Sequence, residues 1–405
     1  MIFNRKRASM SNVVEVGGQG TPGRPPGVRV REESAGVRFV GGVKTSVAAF
    51  LARSTVGEVH PARFASWSEF THKVRLEDAS GAGGATRSIP VSQELWAAVY
   101  GWFGNGGGEC YLAPAGGRGG LAGALASLES YDEITIVVAP DLWSEPTKEE
   151  ARTAAGLIAD HCRRMADRVA VLHLPNGAAP ANAAEALGIE TAEARRYTAV
   201  YHPWINVRAH DPQVDSWVVP PTGHVAGVWA RVDEDRGVHK APANENLRDA
   251  LGLTHDLDDV EQIELNDQGV NAIRKFPGAG LLVWGARTLA ASDETEIEHS
   301  YLNVRRSVNF IRQSIRQSTD WGVFEANDDR LRTSVKAMVT SFLTGLWRRG
   351  MLVGASPEQA FYVICDESDN PPEGVAGLRV EVGVALVRPA EFIAFEVAQL
   401  MEEGS

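Results

Sequence analysis

The sequence has few cysteines and no long apolar run, and each shortage excludes a class of protein. Cys110, Cys162 and Cys365 are odd in number and widely spaced within 405 residues. They favour buried thiols in a reducing compartment over a disulfide framework or a zinc site. No apolar run reaches the roughly 18 residues of a membrane span. The N-terminal MIFNRKRASM has no apolar stretch behind its basic residues, so it does not predict a signal peptide. We therefore expect synthesis and assembly in the cytoplasm.

The sequence also has no excess of basic over acidic residues. The chain has 40 Lys and Arg against 52 Asp and Glu, which gives a formal net charge of -12. This balance argues against a general nucleic-acid binder. The length is sufficient for two domains and a sizeable core.

Recognisable catalytic and ligand-binding motifs are scarce. The run GNGGGE at 104–109 lies between a predicted helix and a predicted strand, the reverse of a phosphate-binding loop, so it favours a helix end and a tight turn. Asp141 follows a predicted strand, where α/β sheets often place active residues, but we favour a turn and helix-start residue. Possible metal ligands lack a short HxH or HxxxH spacing, which favours solvent-facing or locally hydrogen-bonded histidines. These residues are His202, His210, Asp211, Asp215 and His224. No catalytic residue, metal or cofactor is expected.

The middle of the chain alternates strands and helices. GECYLAPA and ITIVVAP predict strands, Thr147 precedes a helix over about 148–167, and VAVLHLP predicts a further buried strand. Two strands joined by a crossover helix imply a parallel sheet. We therefore place an α/β domain at about 86–291, inserted between the two halves of a core domain.

Two amphipathic helices follow from Tyr301 onward. The first carries apolar residues at helical spacing, and the second has Asn327 as its predicted N-cap and Gly350 as its stop. The apolar positions of the first are Val304, Val308, Ile311 and Ile315. Those of the second are Leu331, Val335, Met338, Val339, Phe342, Leu343, Leu346 and Trp347.

Both ends of the chain combine a strand pattern with loop-like composition. Residues 1–26 are rich in Gly and Pro and precede the short strand pattern of 27–33. Near the other end, alternation over 378–386 predicts a half-buried strand, Arg388-Pro389 breaks it, and EFIAFEVAQL predicts a strand that is apolar on both faces. Such a strand must be covered. An internal hairpin and a strand exchanged between subunits both satisfy this need.

Nearly the whole chain resembles the sheath protein of contractile phage tails and related contractile injection systems. The resemblance lies in the order and spacing of many segments, none of which contains a catalytic group. They include PPGVRVREE, VKTSVAAFLA, WAAVYGWFGNGGGECYLAPA, YHPWINV, VPPTGHVAGVWARVDEDRGVHKAPAN, LNDQGVNAIRKFPGAGLLVWGARTL, YLNVRRSVNFIRQSI, VFEANDDRL and EVGVALVRPAEFIAF.

The resemblance implies an α+β core domain with an inserted outer α/β domain and extended terminal arms that donate strands to neighbouring subunits. The arms would be 1–33 and 389–405, the core 34–85 with 292–388, and the inserted domain 86–291. The residues implied for strand exchange are Val28, Val30, Glu32, Phe392, Ile393, Phe395 and Val397. A helix of the core contacts the inner tube in this family. Its implied tube-facing residues are Arg330, Arg332 and Lys336, for which a solvated face is the alternative.

The implied function is mechanical. Copies would stack as rings, commonly six-fold, into a helical sheath around an inner tube, and contraction would drive the tube through a target envelope without nucleotide hydrolysis. The implied partners are other copies, the inner tube protein, and baseplate and cap proteins, with no nucleic acid and no direct membrane insertion. The particle would be a phage tail or a phage-tail-like device. The alternatives are an α/β enzyme with a site near Asp141 and a tube or baseplate subunit.

Overall fold

A computed structural model describes most of the chain between Phe39 and Glu391. The described residues are 39–52, 60–76, 89–117, 119–144, 147–177, 179, 181–210, 214–323, 325, 328–365 and 378–391. The residues predicted for strand exchange therefore lie outside the described residues. They are Val28, Val30, Glu32, Phe392, Ile393, Phe395 and Val397.

The described residues form strands and helices throughout. The strands are β1 (Ala48–Ala52), β2 (Ala62–Phe64), β3 (Val74–Leu76), β4 (Ile89–Val91), β5 (Cys110–Pro114), β6 (Ile136–Val138), β7 (Val169–His173), β8 (Thr198–His202), β9 (Ile205–Arg208), β10 (Ser216–Val219), β11 (Glu245–Asn246), β12 (Ala250–Leu253), β13 (Val270–Phe276), β14 (Gly280–Trp284), β15 (Phe361–Ile364) and β16 (Glu381–Val384). The α-helices are α1 (Trp67–Lys73), α2 (Gln93–Gly104), α3 (Gly120–Ser127), α4 (Lys148–Met165), α5 (Ala183–Ala186), α6 (Ala192–Arg195), α7 (Thr222–Arg236), α8 (Asp259–Asp267), α9 (Leu302–Thr319), α10 (Asp329–Arg348) and α11 (Pro357–Ala360). Short 3-10 helices lie at Leu128–Ser130, Leu142–Ser144, Leu289–Ser292, Glu294–His299 and Asp320–Gly322.

A nine-stranded sheet forms the centre of the larger part of the chain, in the order β11-β14-β13-β8-β7-β6-β1-β5-β2. The six strands from β13 to β5 run parallel, and antiparallel strands flank them on both sides. The predicted unit of ITIVVAP, crossover helix and VAVLHLP is confirmed, because β6 and β7 pair in parallel with α4 between them. The helix predicted after Thr147 is confirmed too, and Thr147 and Glu150 form a capping box at its start.

Helices cover both faces of this sheet. Successive residues of β1 are all buried but belong to opposite clusters, since Phe50 packs on one face and Ala49 and Leu51 on the other. The first cluster includes apolar residues of α2 and α7, and the second includes apolar residues of α3 and α4. This alternation explains why the parallel strands are apolar at nearly every position.

Helices α2 and α7 approach each other through glycines one turn apart. A β-carbon at Gly223 would lie 2.1 Å from the carbonyl oxygen of Ala98, and one at Gly227 would lie 2.6 Å from that of Trp102. No side chain fits at either distance. The two glycines therefore allow the close helix contact that buries Trp102 and Trp229.

The chain divides into two compact units, at different places from the predicted boundaries. Among the described residues, one unit contains Gly42–Ser314 with 386–391, and the other contains 39–41 with Ile315–Ala385. The prediction separated 34–85 from 86–291. In the structure β1 pairs in parallel with β5 on one side and with β6 on the other, so it belongs to the middle of the same sheet.

The smaller unit contains α10, α11 and the β15–β16 pair. The apolar face predicted for α10 is confirmed, with Trp347 partly buried. Its buried apolar residues are Leu331, Val335, Met338, Val339, Phe342, Leu343 and Leu346. The N-cap is Asp328 rather than Asn327, because the Asp328 side chain accepts a hydrogen bond of 2.9 Å from the Leu331 amide. Asp and Asn cap equally well, so composition does not choose between neighbours.

The three cysteines are buried, as predicted, and none is in a disulfide. Burial raises the pKa of the Cys162 thiol to about 12, so this side chain stays protonated and unreactive near neutral pH. Within the described ranges, no helix combines the length and the apolar character needed to cross a bilayer.

Candidate assembly site

The first turn of α9 holds the segment that leads into the C-terminal end of the chain. Asn303 is 1% exposed, and its Nδ2 donates hydrogen bonds of 2.8 Å to the His239 carbonyl and 2.9 Å to the Val387 carbonyl. These bonds attach Val387 to the larger unit only a few residues before the predicted exchanged strand.

A second attachment follows at Glu391. The Arg287 guanidinium donates to both carboxylate oxygens of Glu391, at 3.1 and 2.5 Å, and donates another bond of 3.0 Å to the Asn266 carbonyl. The hydrogen bond with Glu391 raises the pKa of Arg287. Such two-pronged, charge-assisted contacts fix geometry as well as position. The residues from Val387 to Glu391 therefore form a defined root, called the C-terminal root below.

The later turns of α9 hold the segment that enters from the N-terminal side. In the larger unit, the Val43 amide donates a hydrogen bond of 3.2 Å to Ser314 Oγ, and Arg306 donates one of 3.0 Å to the Thr45 carbonyl. In the smaller unit, the Gly41 amide donates a bond of 3.2 Å to Ser318 Oγ. Helix α9 thus holds the inner ends of both terminal segments. The side chains of Asn303 and Ser314 are about 16 Å apart along the helix at 1.5 Å per residue.

A buried ion pair fixes α9 against α7. Arg306 donates two hydrogen bonds to the Asp233 carboxylate, at 2.9 and 2.6 Å, and the two side chains are 4% and 2% exposed. The guanidinium also lies 4.8 Å from the ring centre of Trp229. Burial raises the pKa of the Asp233 carboxyl, and the contacts with Arg306 oppose this shift. The pair makes α9 a rigidly placed helix in the larger unit.

The smaller unit contains a two-stranded sheet. Strands β15 and β16 are antiparallel, with Phe361 opposite Val384 and Ile364 opposite Glu381. Among the described residues no third strand joins this pair. The hydrogen bond from the Val353 amide to the Ala385 carbonyl, 2.8 Å long, fixes the chain where β16 ends. A two-stranded sheet leaves backbone groups on its outer edges that can pair with another strand.

The three residues implied for tube contact do not share one face of α10. Arg332 and Lys336 are one turn apart, whereas Arg330 points elsewhere at 100° per residue. Arg330 is exposed, but Arg332 is buried and donates to Asp329 at 2.6 Å. The solvated-face alternative therefore fits Arg330 and does not fit Arg332.

The residues considered for chemistry have structural surroundings. The GNGGGE run ends α2 with Asn105 as its C-cap and turns at Gly106, as predicted. Asp141 follows β6 and is buried. His202 and His224 are buried too, which corrects the expectation of solvent-facing or hydrogen-bonded histidines, because neither ring has a hydrogen-bond partner among the described residues. In that part of the chain no group of His, Cys, Asp and Glu could hold a metal ion.

The residues that hold the C-terminal root and the segment entering from the N-terminal side were not singled out from the sequence. Arg287, Asn303 and Arg306 are polar residues within apolar or amphipathic segments. The signal was present in YLNVRRSVNF, where Asn303 and Arg306 occupy helix positions one turn apart. Polar residues at buried helix positions must find partners, so such positions mark anchoring contacts.

Comparison with known proteins matches this arrangement to one family. The model of the phage tail sheath protein central domain matches residues 111–289, and that of the phage tail sheath C-terminal domain matches 297–399. The tail sheath protein of Vibrio phage KVP40 is 29% identical over 180 residues, which are 44% of this chain and 25% of that protein. That of Burkholderia phage BcepMu is 28% identical over 200 residues, 47% of this chain and 40% of that protein. The chain therefore spans well under half of these relatives.

Solved structures match over nearly the whole chain. The helical sheath of the anti-feeding prophage in its contracted state has a TM-score of 0.73 and 29% identity, and the match covers 93% of this chain and 99% of that one. The sheath complex of an extracellular contractile injection system, PVC, in its contracted state has a TM-score of 0.70 and 28% identity, over 95% and 100% of the two chains. The mixed α/β fold is thus that of sheath subunits. The chain belongs to the contractile tail sheath family, and the resemblance inferred from the sequence is confirmed.

Proposed function

We propose that this protein is the repeating subunit of a contractile sheath that surrounds an inner tube and contracts to drive the tube through a target envelope. The observation that supports this proposal is the match, over more than nine tenths of the chain, to subunits of two contractile sheaths. The relatives are sheath proteins, so the alternative of an enzyme near Asp141 gains no support from them.

The terminal segments would link the subunits. In this proposal, residues 27–33 and 391–400 of neighbouring copies add strands to the outer edges of the β15–β16 pair. The edges of that pair and the attachment of both segments to α9 support the proposal. Backbone pairing suits this task, because a ladder of hydrogen bonds holds neighbours together while the subunits reorient.

The other partners follow from the family. One related structure is the baseplate of the anti-feeding prophage, and we infer that this sheath also meets a baseplate at one end and a cap protein at the other. We further propose that α10 faces the tube and that the large sheet, most of which residues 86–291 form, lies outward. The particle would assemble in the cytoplasm as part of a phage tail or a phage-tail-like device. A density map of the assembly that placed 86–291 against the tube would contradict the outward arrangement.

Truncation tests the linking role of the two ends. Removing residues 1–33, or all residues after Glu391, should give a protein with unchanged urea unfolding that no longer forms long sheaths in electron micrographs. Cutting after Glu391 keeps its contact with Arg287, so the C-terminal root stays intact. The matched control removes only 401–405, beyond the predicted strand, and should assemble normally. Normal sheaths from either truncated protein would show that strand exchange is wrong for that end.

A further inference from the structure

A cavity of about 500 Å³ lies at the carboxyl end of β8. His202, the last residue of that strand, lines the cavity and is 1% exposed, and neither of its ring nitrogens has a hydrogen-bond partner among the described residues. Burial lowers the pKa of His202 to about 4. The ring is therefore neutral near pH 7 and offers one acceptor nitrogen and one donor nitrogen. Buried polar groups usually have partners, so this one suggests a ligand.

One face of α8 forms a wall of the same cavity. Glu261 and Glu264 line it, and Glu264 makes no side-chain hydrogen bond or ion pair among the described residues. The segment 251–267 contains six acidic residues and no Lys or Arg. His255 contacts Glu261 at 2.7 Å, and Arg274 contacts Asp259 at 2.8 Å. The remaining carboxylates give the surface a negative potential that favours a basic partner.

The outer face of α8 is apolar, although the helix is acidic. Val260 and Ile263 are 64% and 60% exposed and lie three residues apart, so their side chains are neighbours. Two adjacent, exposed β-branched residues form a small apolar patch next to the carboxylates. A partner that fits this surface therefore combines apolar side chains with positive charge.

We propose that this surface, made of the cavity beside His202 and the two faces of α8, binds residues 1–7 of a neighbouring copy. The interaction rests on the self-assembly proposed above. The sequence MIFNRKR places three apolar residues beside three basic ones. Its apolar residues would cover Val260 and Ile263, and its basic residues would meet Glu264 and the neutral ring of His202.

The length and charge of the N-terminal part of the chain suit this interaction. Residues 1–38 contain seven Lys and Arg against three Glu, the opposite balance to the chain as a whole. The 31 residues between position 7 and Phe39 could extend up to about 102 Å at 3.3 Å per residue, enough to reach an adjacent subunit. The contact is separate from the strand predicted at 27–33, because it uses different residues and a different surface.

Peptide binding tests the chemistry of the surface. A fluorescent peptide of residues 1–10 is titrated against the full-length protein, with anisotropy as the readout. Replacing Glu264 by Gln and Asp256 by Asn should weaken binding about fivefold to tenfold. The matched control, Glu234→Gln with Asp235→Asn, removes the same two charges from exposed positions of α7 and should bind normally. Equal affinity of all three proteins would overturn the proposal.

Altered peptides separate the two parts of the interaction. Replacing the three basic residues by Gln, or Ile2 and Phe3 by Ser, should each weaken binding. Only the unaltered and the Ser peptides should lose affinity when salt rises from 0.05 to about 0.5 M, because screening acts on charge. The proposal would be overturned if the unaltered peptide did not bind, or if the Gln peptide bound as tightly as the unaltered one.

Cross-linking tests whether the partner is a neighbouring copy. Sheaths are assembled from equal amounts of light and heavy-isotope protein and treated with a carbodiimide, which joins amines to carboxylates. Lys6 is the first lysine, and the next is Lys44, so its products can be assigned. A link of mixed isotope content between Lys6 and the segment 251–267 is expected. If micrographs show intact sheaths but Lys6 is linked only within its own chain, or only to carboxylates outside 251–267, this contact is overturned. That result would leave the proposed function standing. Absence of sheaths would contradict the proposed function, and this contact with it.

Discussion

Removing the carboxylate of the buried ion pair should strongly destabilise the larger unit. In Asp233→Leu, the Arg306 guanidinium would stay 4% exposed without its two hydrogen bonds of 2.9 and 2.6 Å to a carboxylate. Leaving a buried charge unpaired costs about 3–5 kcal/mol. That is a large part of the 5–15 kcal/mol typical of a folded protein. With a urea m-value of about 3 kcal/mol/M, the urea midpoint should fall by roughly 1–1.7 M.

The double variant tests the reason for that loss. Replacing Arg306 by Met as well as Asp233 by Leu removes both charges, so most of the stability should return. A deficit of about 1–2 kcal/mol should remain, because Arg306 also donates to the Thr45 carbonyl and packs against Trp229. The exposed pair between Arg163 and Asp160 is the control.

The measurement must report on the larger unit alone, because the chain has two compact units that need not unfold together. Hydrogen exchange of β6 and β7 peptides across a urea series meets this need, since both strands lie in the middle of the large sheet. Asp160→Ala should change the free energy of unfolding of the larger unit by less than about 0.5 kcal/mol. The reasoning would be refuted if Asp233→Leu lost under 1 kcal/mol, or if the double variant were no more stable than the single one.

Two further predictions concern helix packing and pH. Gly223→Ala should destabilise the larger unit by several kcal/mol or abolish its folding, because the new β-carbon would lie 2.1 Å from a carbonyl oxygen. The control is Gly345→Ala, whose β-carbon would meet nothing within 4 Å. That change should stabilise its helix by about 0.5–1 kcal/mol. Burial lowers the pKa of His173 to about 3 and those of His202 and His224 to about 4, from an ordinary value of 6.5. Because only the unfolded chain binds these protons between pH 6.5 and 4, stability should fall as pH drops through that window, by roughly 3 kcal/mol per histidine at its lower end. Unfolding by urea at several pH values measures this slope, and His224→Leu should flatten it.

The regular parts of the fold could be predicted from the sequence because their signals are local. The apolar runs of β6 and β7, the amphipathic α4 between them and the cap at Thr147 each follow from residues close in sequence. A strand, a crossover helix and a second strand then leave little choice of topology. The apolar face of α10 follows from its helical spacing in the same way.

The domain division and the buried polar contacts depend on residues far apart in sequence. The position of β1 between β5 and β6 requires pairing across about 60 and 90 residues, which no local pattern records. On α9 the apolar spacing predicted the helix but not its environment. Asn303, Arg306 and Ser314 are buried there because each has a backbone or carboxylate partner from another segment. Hydrophobic periodicity predicts which apolar residues are buried, but it does not show which polar residues are buried beside them.

The C-terminal root leads to the last prediction, which concerns how force passes between subunits. If the strand after Glu391 binds a neighbour, the load on it is carried back through the bond between Arg287 and Glu391. Arg287→Met removes two charge-assisted hydrogen bonds and the bond to Asn266. A loss of about 2 kcal/mol would raise the detached population of the root roughly 30-fold. Amides of 386–391 should then exchange faster in the unassembled protein, while the large sheet keeps its protection.

In assembled sheaths the same change should show its mechanical consequence. Sheaths of Arg287→Met should form but break into fragments on contraction, because the root detaches under load before the strand ladder separates. Arg274→Met is the matched control, since it removes an arginine that hydrogen-bonds to Asp259 and Gln262 rather than to the C-terminal root. Contraction should proceed without added nucleotide in both. If amide exchange at 386–391 is unchanged in Arg287→Met, the ion pair does not hold the root. If exchange rises but contracted sheaths stay whole, the root does not carry the load between subunits.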